Sequence, residues 1–252
     1  MKTAALALFA AIALAGVTNG ETLNLNCDWQ FRKDGEAEWL RVSVPHCVNA
    51  HDTFDGHSGA WGEKDQWRGT MFYRKRLTLE TVPAKAFLEI EAIRQTARVR
   101  VNGKDCGFYD AGIAACGFDL TDALKAGENE IEIETDSRTA SEGGADYQWN
   151  EASFNPVQGG LTGNVKLHVK PNKTYLTLPL YSNLGTAGTY IWAEDFDLEQ
   201  GAATIQVRAE VRNEDDSRRD AEARRLKIGF EVREAAKPHS HALCVSYENI
   251  CQ

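Results

Sequence analysis

His46, His51 and His57 crowd into one short stretch of this 252-residue chain, with Asp52 and Asp55 between them. Imidazoles and carboxylates at close spacing are the raw material of a metal site, provided the fold converges them and braces each ligand with a further hydrogen bond. The surrounding Gly, Asp and Trp residues favour a polar surface loop instead, with His46 structural beside Pro45, and no metal is expected. A second chemistry is offered by aromatics near short polar side chains. Trp61, Trp67, Tyr147 and Trp149 lie in two irregular stretches, with Asp110, Asn155 and Gln158 in turn regions. Sugar rings present apolar C–H faces to such aromatics and hydroxyls to such polar groups. Trp61, Trp149, Asp110 and Asn155 are therefore the candidate carbohydrate contacts. The competing role for these rings is to anchor long loops or fill an interdomain surface, and it suits Trp67 best, beside the start of a strand.

The elements that would position these residues read as short strands. The runs 72–79, 86–92, 97–101, 130–134 and 164–169 alternate apolar and charged residues, the period of half-buried antiparallel strands. Asn102-Gly103 falls between alternating residues and predicts a two-residue hairpin turn. Phe118-Asp119-Leu120-Thr121 runs out of a strand into a turn at Thr121 and Asp122 that exits through Gly127. No segment here sustains a long helical repeat, so an all-β jelly-roll sandwich is expected over residues 21–170. The irregular stretches 46–69 and 136–160 are long for a compact domain, and such loops are often functional. Residues 170–173 read as a linker. Alternation resumes at 188–193, 203–213 and 226–232, whereas 235–252 shows no strand period. A sandwich of the immunoglobulin kind needs about seven strands in ~100 residues, so 172–252 reads as an incomplete one.

Lys2 followed by the apolar run 4–15 and small residues at Gly16 and Gly20 reads as a signal peptide over residues 1–20, too short for a comfortable membrane span. A secreted or periplasmic location is expected, with no span in the mature chain. The six cysteines lack paired C-x-x-C spacing. In an oxidising compartment Cys106 and Cys116, bracketing a short loop, are the leading candidate bridge. The formal charge of −9, without a basic stripe, argues against nucleic acid and anionic membranes and is silent about neutral sugars. No Gly-rich phosphate cradle precedes a helix, and no cofactor is expected.

The ordered motifs Val44-Pro45-His46, Gly69 through Arg74, Val101-Asn102-Gly103, Phe118-Asp119-Leu120-Thr121, Gly127-Glu128-Asn129 and Gly159-Gly160-Leu161 together resemble the N-terminal sugar-binding domain of glycoside hydrolase family 2. That is the β-galactosidase, β-glucuronidase and β-mannosidase family. The resemblance covers roughly residues 29–213 and implies a galactose-binding-like jelly roll followed by an immunoglobulin-like domain. Val48, Gly163 and Cys116 depart from the residues the family commonly places there, respectively Trp, Arg and an aromatic.

The resemblance implies hydrolysis of O-glycosyl bonds, which a retaining enzyme performs with two carboxylates about 5 Å apart. In the family these lie on a barrel of ~250 residues, and no stretch of alternating strand and helix supplies one here. Trp149-Asn150-Glu151 resembles the Asn-Glu pair of that clan but sits in a polar loop, so Glu151 reads as a solvated carboxylate and no catalytic residue is expected. The leading expectation is the noncatalytic N-terminal portion of a family 2 glycosidase, partnered by a β-glycoside or by a catalytic barrel missing from this chain. A stand-alone secreted carbohydrate-binding module or an adhesion protein is the alternative.

Overall fold

The strands form where apolar side chains recur at every second position. In the computed structural model, residues 20–49, 67–112, 114–138, 159–179, 181, 183–197, 202–214, 228–233 and 244–249 are described. Among them lie sixteen strands and no helix. The chain divides into two compact units, Met1–Glu214 and Asp215–Gln252.

The first unit is built on two antiparallel sheets. One combines β1 (Glu21–Asn24), β10 (Val165–Lys170), β5 (Lys85–Ile90) and β8 (Cys116–Asp119) in that order. The other combines β3 (Leu40–Val42), β2 (Trp29–Lys33), β4 (Thr70–Leu79), β9 (Gly127–Asp136), β6 (Gln95–Val101) and β7 (Lys104–Gly112). Met71 and Tyr73 of β4, Ile131 and Ile133 of β9, and Leu88 and Ile90 of β5 meet in one core. The intervening Arg74, Arg76, Glu130, Glu132 and Glu134 face the other way, as the period of two requires.

The hairpin forms at Asn102-Gly103, where Val101 pairs with Lys104 across a two-residue loop. Both turn residues have positive φ, 52° and 81°, the conformation this turn demands. The Asn102 side chain then welds the hairpin to its neighbours. Its Nδ2 donates to the Ala123 carbonyl and to Asn129 Oδ1, both at 2.9 Å, and its Oδ1 accepts from the Glu130 amide at 3.1 Å.

Strand β5 departs from the half-buried expectation, since all six of its residues are buried. Ala86, Leu88 and Ile90 enter the main core, while Phe87 on the opposite face packs with Tyr175, Leu178 and Tyr181 in a second cluster. Polar bonds fasten the same cover. Lys85 pairs with Asp119 at 2.6 Å and Glu214 at 2.9 Å, Tyr175 Oη donates to Glu214 at 2.5 Å, and Tyr181 Oη donates to Glu89. The chain after the predicted linker thus lies against the outer face of the smaller sheet.

Beyond it, β11 (Thr174–Leu176) pairs with β14 (Val211–Asn213), and β12 (Thr189–Asp197) pairs with β13 (Ala202–Ala209). The run 203–213, expected as one strand, is split at Glu210 between two partners. At the break the Glu210 carboxylate accepts from the Ala187 amide at 2.5 Å and the Thr177 hydroxyl at 3.0 Å. In the second unit β15 (Ile228–Arg233) pairs antiparallel with β16 (Cys244–Asn249). The latter lies in the tail where no strand was expected.

Candidate functional site

One end of the six-stranded sheet gathers the polar residues that the core does not use. The start of β4, the start of β6, the end of β7 and the end of β9 share it, through the pairings Thr70 with Asp136 and Thr96 with Asp110. The segments on either side are tied together by Asn49, which is fully buried. Its Nδ2 donates to the Trp67 carbonyl at 2.9 Å and its Oδ1 accepts from the Gly159 amide at 2.9 Å. Trp67 packs against the main core, with Lys33 Nζ 5.0 Å from its ring centre, in keeping with an anchoring role.

Behind this end stands a braced histidine. His46 Nδ1 lies 2.7 Å from Tyr73 Oη, and the Leu161 amide approaches that oxygen at 3.4 Å. Tyr73 Oη accepts from the Leu161 amide and shares one hydrogen bond with His46 Nδ1, whose direction is set by the imidazole tautomer. Burial holds the imidazole below its ordinary pKa, which favours the neutral ring. Phe31 stacks at a tilt, ring centres 4.6 Å apart. His46 is thus a structural residue, and among the described residues no three His, Cys, Asp or Glu converge as metal ligands. The glycine of Gly159-Gly160-Leu161 is explained at the same place. Gly160 has φ 121°, and a Cβ there would lie 2.6 Å from both the His46 carbonyl oxygen and Tyr73 Oη.

At the rim three buried polar atoms have no hydrogen-bond partner: Arg94 Nε, Gln95 Oε1 and Asp110 Oδ1. Arg94 and Gln95 are 7% and 5% exposed. The Arg94 backbone is engaged, its amide donating to Gly160 and its carbonyl accepting from Thr135 Oγ1 at 2.9 Å. Burial, and then the neighbouring Arg68, hold the Arg94 guanidinium below its ordinary pKa. An unsatisfied buried donor or acceptor costs about 1–3 kcal/mol. The three belong to residues at one sheet end, and each atom is itself shielded from solvent with its hydrogen-bonding capacity unused. Nearby, Asp136 is committed to Arg138 (2.6 Å) and accepts from Thr70 Oγ1 at 3.4 Å.

Of the residues singled out from the sequence, Asp110 lies in this rim, on β7 opposite Thr96. Trp61, Trp149 and Asn155 lie outside the described residues, as do His51, His57, Tyr147, Glu151 and Gln158. Asn49, Arg94 and Gln95 escaped the sequence reading. Their one signal was that Arg94-Gln95 interrupts alternation between two strand runs. The expected bridge between Cys106 and Cys116 is not formed, and both are free thiols. Cys106 Sγ donates to the Lys104 carbonyl at 3.6 Å on the larger sheet, whereas Cys116 pairs with Ile90 in the smaller one. Burial pushes the Cys116 thiol up to about 12, far from its reactive thiolate.

Comparison with known proteins agrees with this architecture. A β-glucuronidase of Formosa agariphila is 38% identical over 217 residues, 79% of this chain and 22% of the relative. A β-galactosidase of Thermoanaerobacter pseudethanolicus is 29% identical over 132 residues, covering 47% of this chain and 17% of its own length. Among solved structures, a β-glucuronidase from glycoside hydrolase family 2 superposes with a TM-score of 0.70 at 31% identity, covering 94% of this chain and 26% of that one. The chain thus spans about a fifth of the curated relatives it matches. Residues 29–166 match the glycosyl hydrolase 2 galactose-binding domain-like family, and the chain belongs to glycoside hydrolase family 2.

Proposed function

We propose that this chain is the noncatalytic, sugar-binding portion of a family 2 β-glycosidase, working beside a catalytic barrel in the breakdown of β-glycosides. The observation that carries the reading is the unpartnered set Arg94, Gln95 and Asp110 at one end of a family 2 galactose-binding-like sandwich. In this reading these three residues hydrogen-bond sugar hydroxyls, and Trp61, Trp149 and Asn155 add ring and amide contacts. The glucuronidase and galactosidase names of the relatives support a β-linked hexose or hexuronate as ligand. The apolar run behind Lys2 supports export to the periplasm or the medium.

The test is calorimetric titration of the purified chain with galactose and β-linked disaccharides, alongside a nitrophenyl β-glycoside assay. Binding near 1 mM, about −4 kcal/mol, is expected from a site that encloses little of its ligand. It should weaken in Asp110→Asn and Gln95→Ala, with no turnover detected. Turnover that survives purification and disappears in Glu151→Gln would refute the noncatalytic assignment. Micromolar binding abolished by Trp149→Ala would favour the stand-alone binding module.

A further inference from the structure

The outer face of the larger sheet carries a cross-strand row of polar residues. Register places Arg41 of β3 beside Gln30 of β2, Gln30 beside Arg74 of β4, Arg74 beside Glu132 of β9, and Glu132 beside Arg100 of β6. Toward β6 the charges neutralise one another, with Arg100 3.2 Å from Glu132 and 3.0 Å from Glu134, and Arg98 2.7 Å from Asp105. Toward β3 the balance changes. A cavity of about 480 Å³ opens there, lined by Asp28, Gln30, Trp39, Arg41, Arg74 and Arg76. That size falls within the ~300–1,000 Å³ of small-molecule sites.

Three guanidinium groups and one carboxylate line this cavity, in a chain whose net charge is −9. Asp28 is occupied by Arg41. Arg74 is held in place without being used up. Its Nε donates to Gln30 Oε1 at 3.0 Å and lies 3.8 Å from the Glu130 carboxylate, which it shares with Arg76, and its guanidinium carbon lies 4.2 Å from the centre of the Trp39 ring. Arg76 Nε donates to Glu130 at 3.3 Å. These bonds use Nε in each case, and the terminal Nη groups of Arg74 and Arg76 make no hydrogen bond. Two guanidinium forks with free terminal N–H groups, that of Arg74 fixed by Gln30 and Trp39, match the oxygens of a carboxylate or sulfate, which Arg binds in bidentate fashion.

We propose that this cavity is a subsite for an acidic sugar, the carboxylate of a uronate or the sulfate of a sugar ester being held by Arg74 and Arg76. Trp39 stiffens Arg74, and Gln30 sets the rotation of its fork. The subsite is separate from the sheet end bearing Asp110, and it rests on the proposed function only in taking the ligand to be a sugar.

Calorimetric titration of the full chain with glucuronic acid, glucose 6-sulfate and galactose tests it, at low and at physiological salt. Both acidic sugars should bind more tightly than galactose and weaken as salt rises. Arg76→Gln, on an exposed side chain, should weaken acidic-sugar binding about tenfold while leaving the melting temperature unchanged. Arg74→Lys should do the same by keeping the charge and losing the fork. Asp110→Asn should weaken galactose binding yet spare the acidic sugars. Equal affinity for all three sugars, or acidic-sugar binding that survives Arg74→Gln/Arg76→Gln, would overturn the subsite. Loss of acidic-sugar binding in Asp110→Asn with none in Arg76→Gln would also overturn it, and would place that ligand at the sheet end. A galactose response that ignores Asp110→Asn would count against the proposed function alone.

Discussion

Asn102 gives the sharpest test of how the sandwich is held, because one side chain performs two separable tasks. It occupies a left-handed turn position with φ 52°, and it bonds the hairpin to Ala123, Asn129 and Glu130. Asn129 is 1% exposed and keeps its own bonds to Lys125 and Gly127, so removing Asn102 leaves a local gap rather than a collapsed turn. Three side-chain hydrogen bonds at about 1 kcal/mol each, discounted because two are exposed, come to about 2 kcal/mol. A Cβ-bearing residue without Asn's local bonding adds about 1 kcal/mol in the left-handed region. Asn102→Gly should therefore cost about 2 kcal/mol and Asn102→Ala about 3 kcal/mol. At roughly 2–4 °C per kcal/mol for a domain of this size, melting temperatures should fall by about 4–8 °C and about 6–12 °C. Thermal unfolding followed by calorimetry or circular dichroism reads both. Variants indistinguishable from each other would remove the backbone contribution, and a glycine variant melting with the wild type would refute the bonding one.

Two further outcomes follow from burial. His46 has its pKa depressed by burial, so the unfolded chain binds its proton at a higher pH than the folded one. Stability should therefore be full above about pH 6.5 and decline on acidification, and Glu89 should extend the decline below its ordinary 4.5, because His168, and also Tyr181, hold it as a carboxylate. Urea midpoints for wild type that stay flat between pH 7 and 5, or that fall equally in His46→Gln, would contradict the histidine contribution. The cover on β5 is tested by contrast: Phe87 is 6% exposed and Phe196 is 66% exposed. Phe87→Ala should cost about 3 kcal/mol or more and Phe196→Ser less than about 0.5 kcal/mol, and equal urea midpoints would show that residues 174–188 do not seal that face.

Much of the first sandwich was legible from local pattern. Period-two alternation marked β4, β5, β6, β9 and β10, and Asn102-Gly103 marked the β6–β7 turn, because face and turn type depend on nearest neighbours along the chain. Short strands such as β3 and β11 left no such trace, since a three-residue strand is defined by its partner. Local pattern also misread β5: Phe87 stands among charged residues that face solvent elsewhere, and only Tyr175, Leu178 and Tyr181 returning over the sheet make its outer face interior. The same limit governs the candidate site. Asp110 was singled out as a polar residue of a turn region and instead lies on β7 opposite Thr96, while Asn49, Arg94 and Gln95 matter because strands distant in sequence end at one rim. The sequence determined which residues could alternate, turn and bond. The tertiary structure decided which polar groups were left buried and unpaired, because burial and pairing depend on what the rest of the chain brings against them.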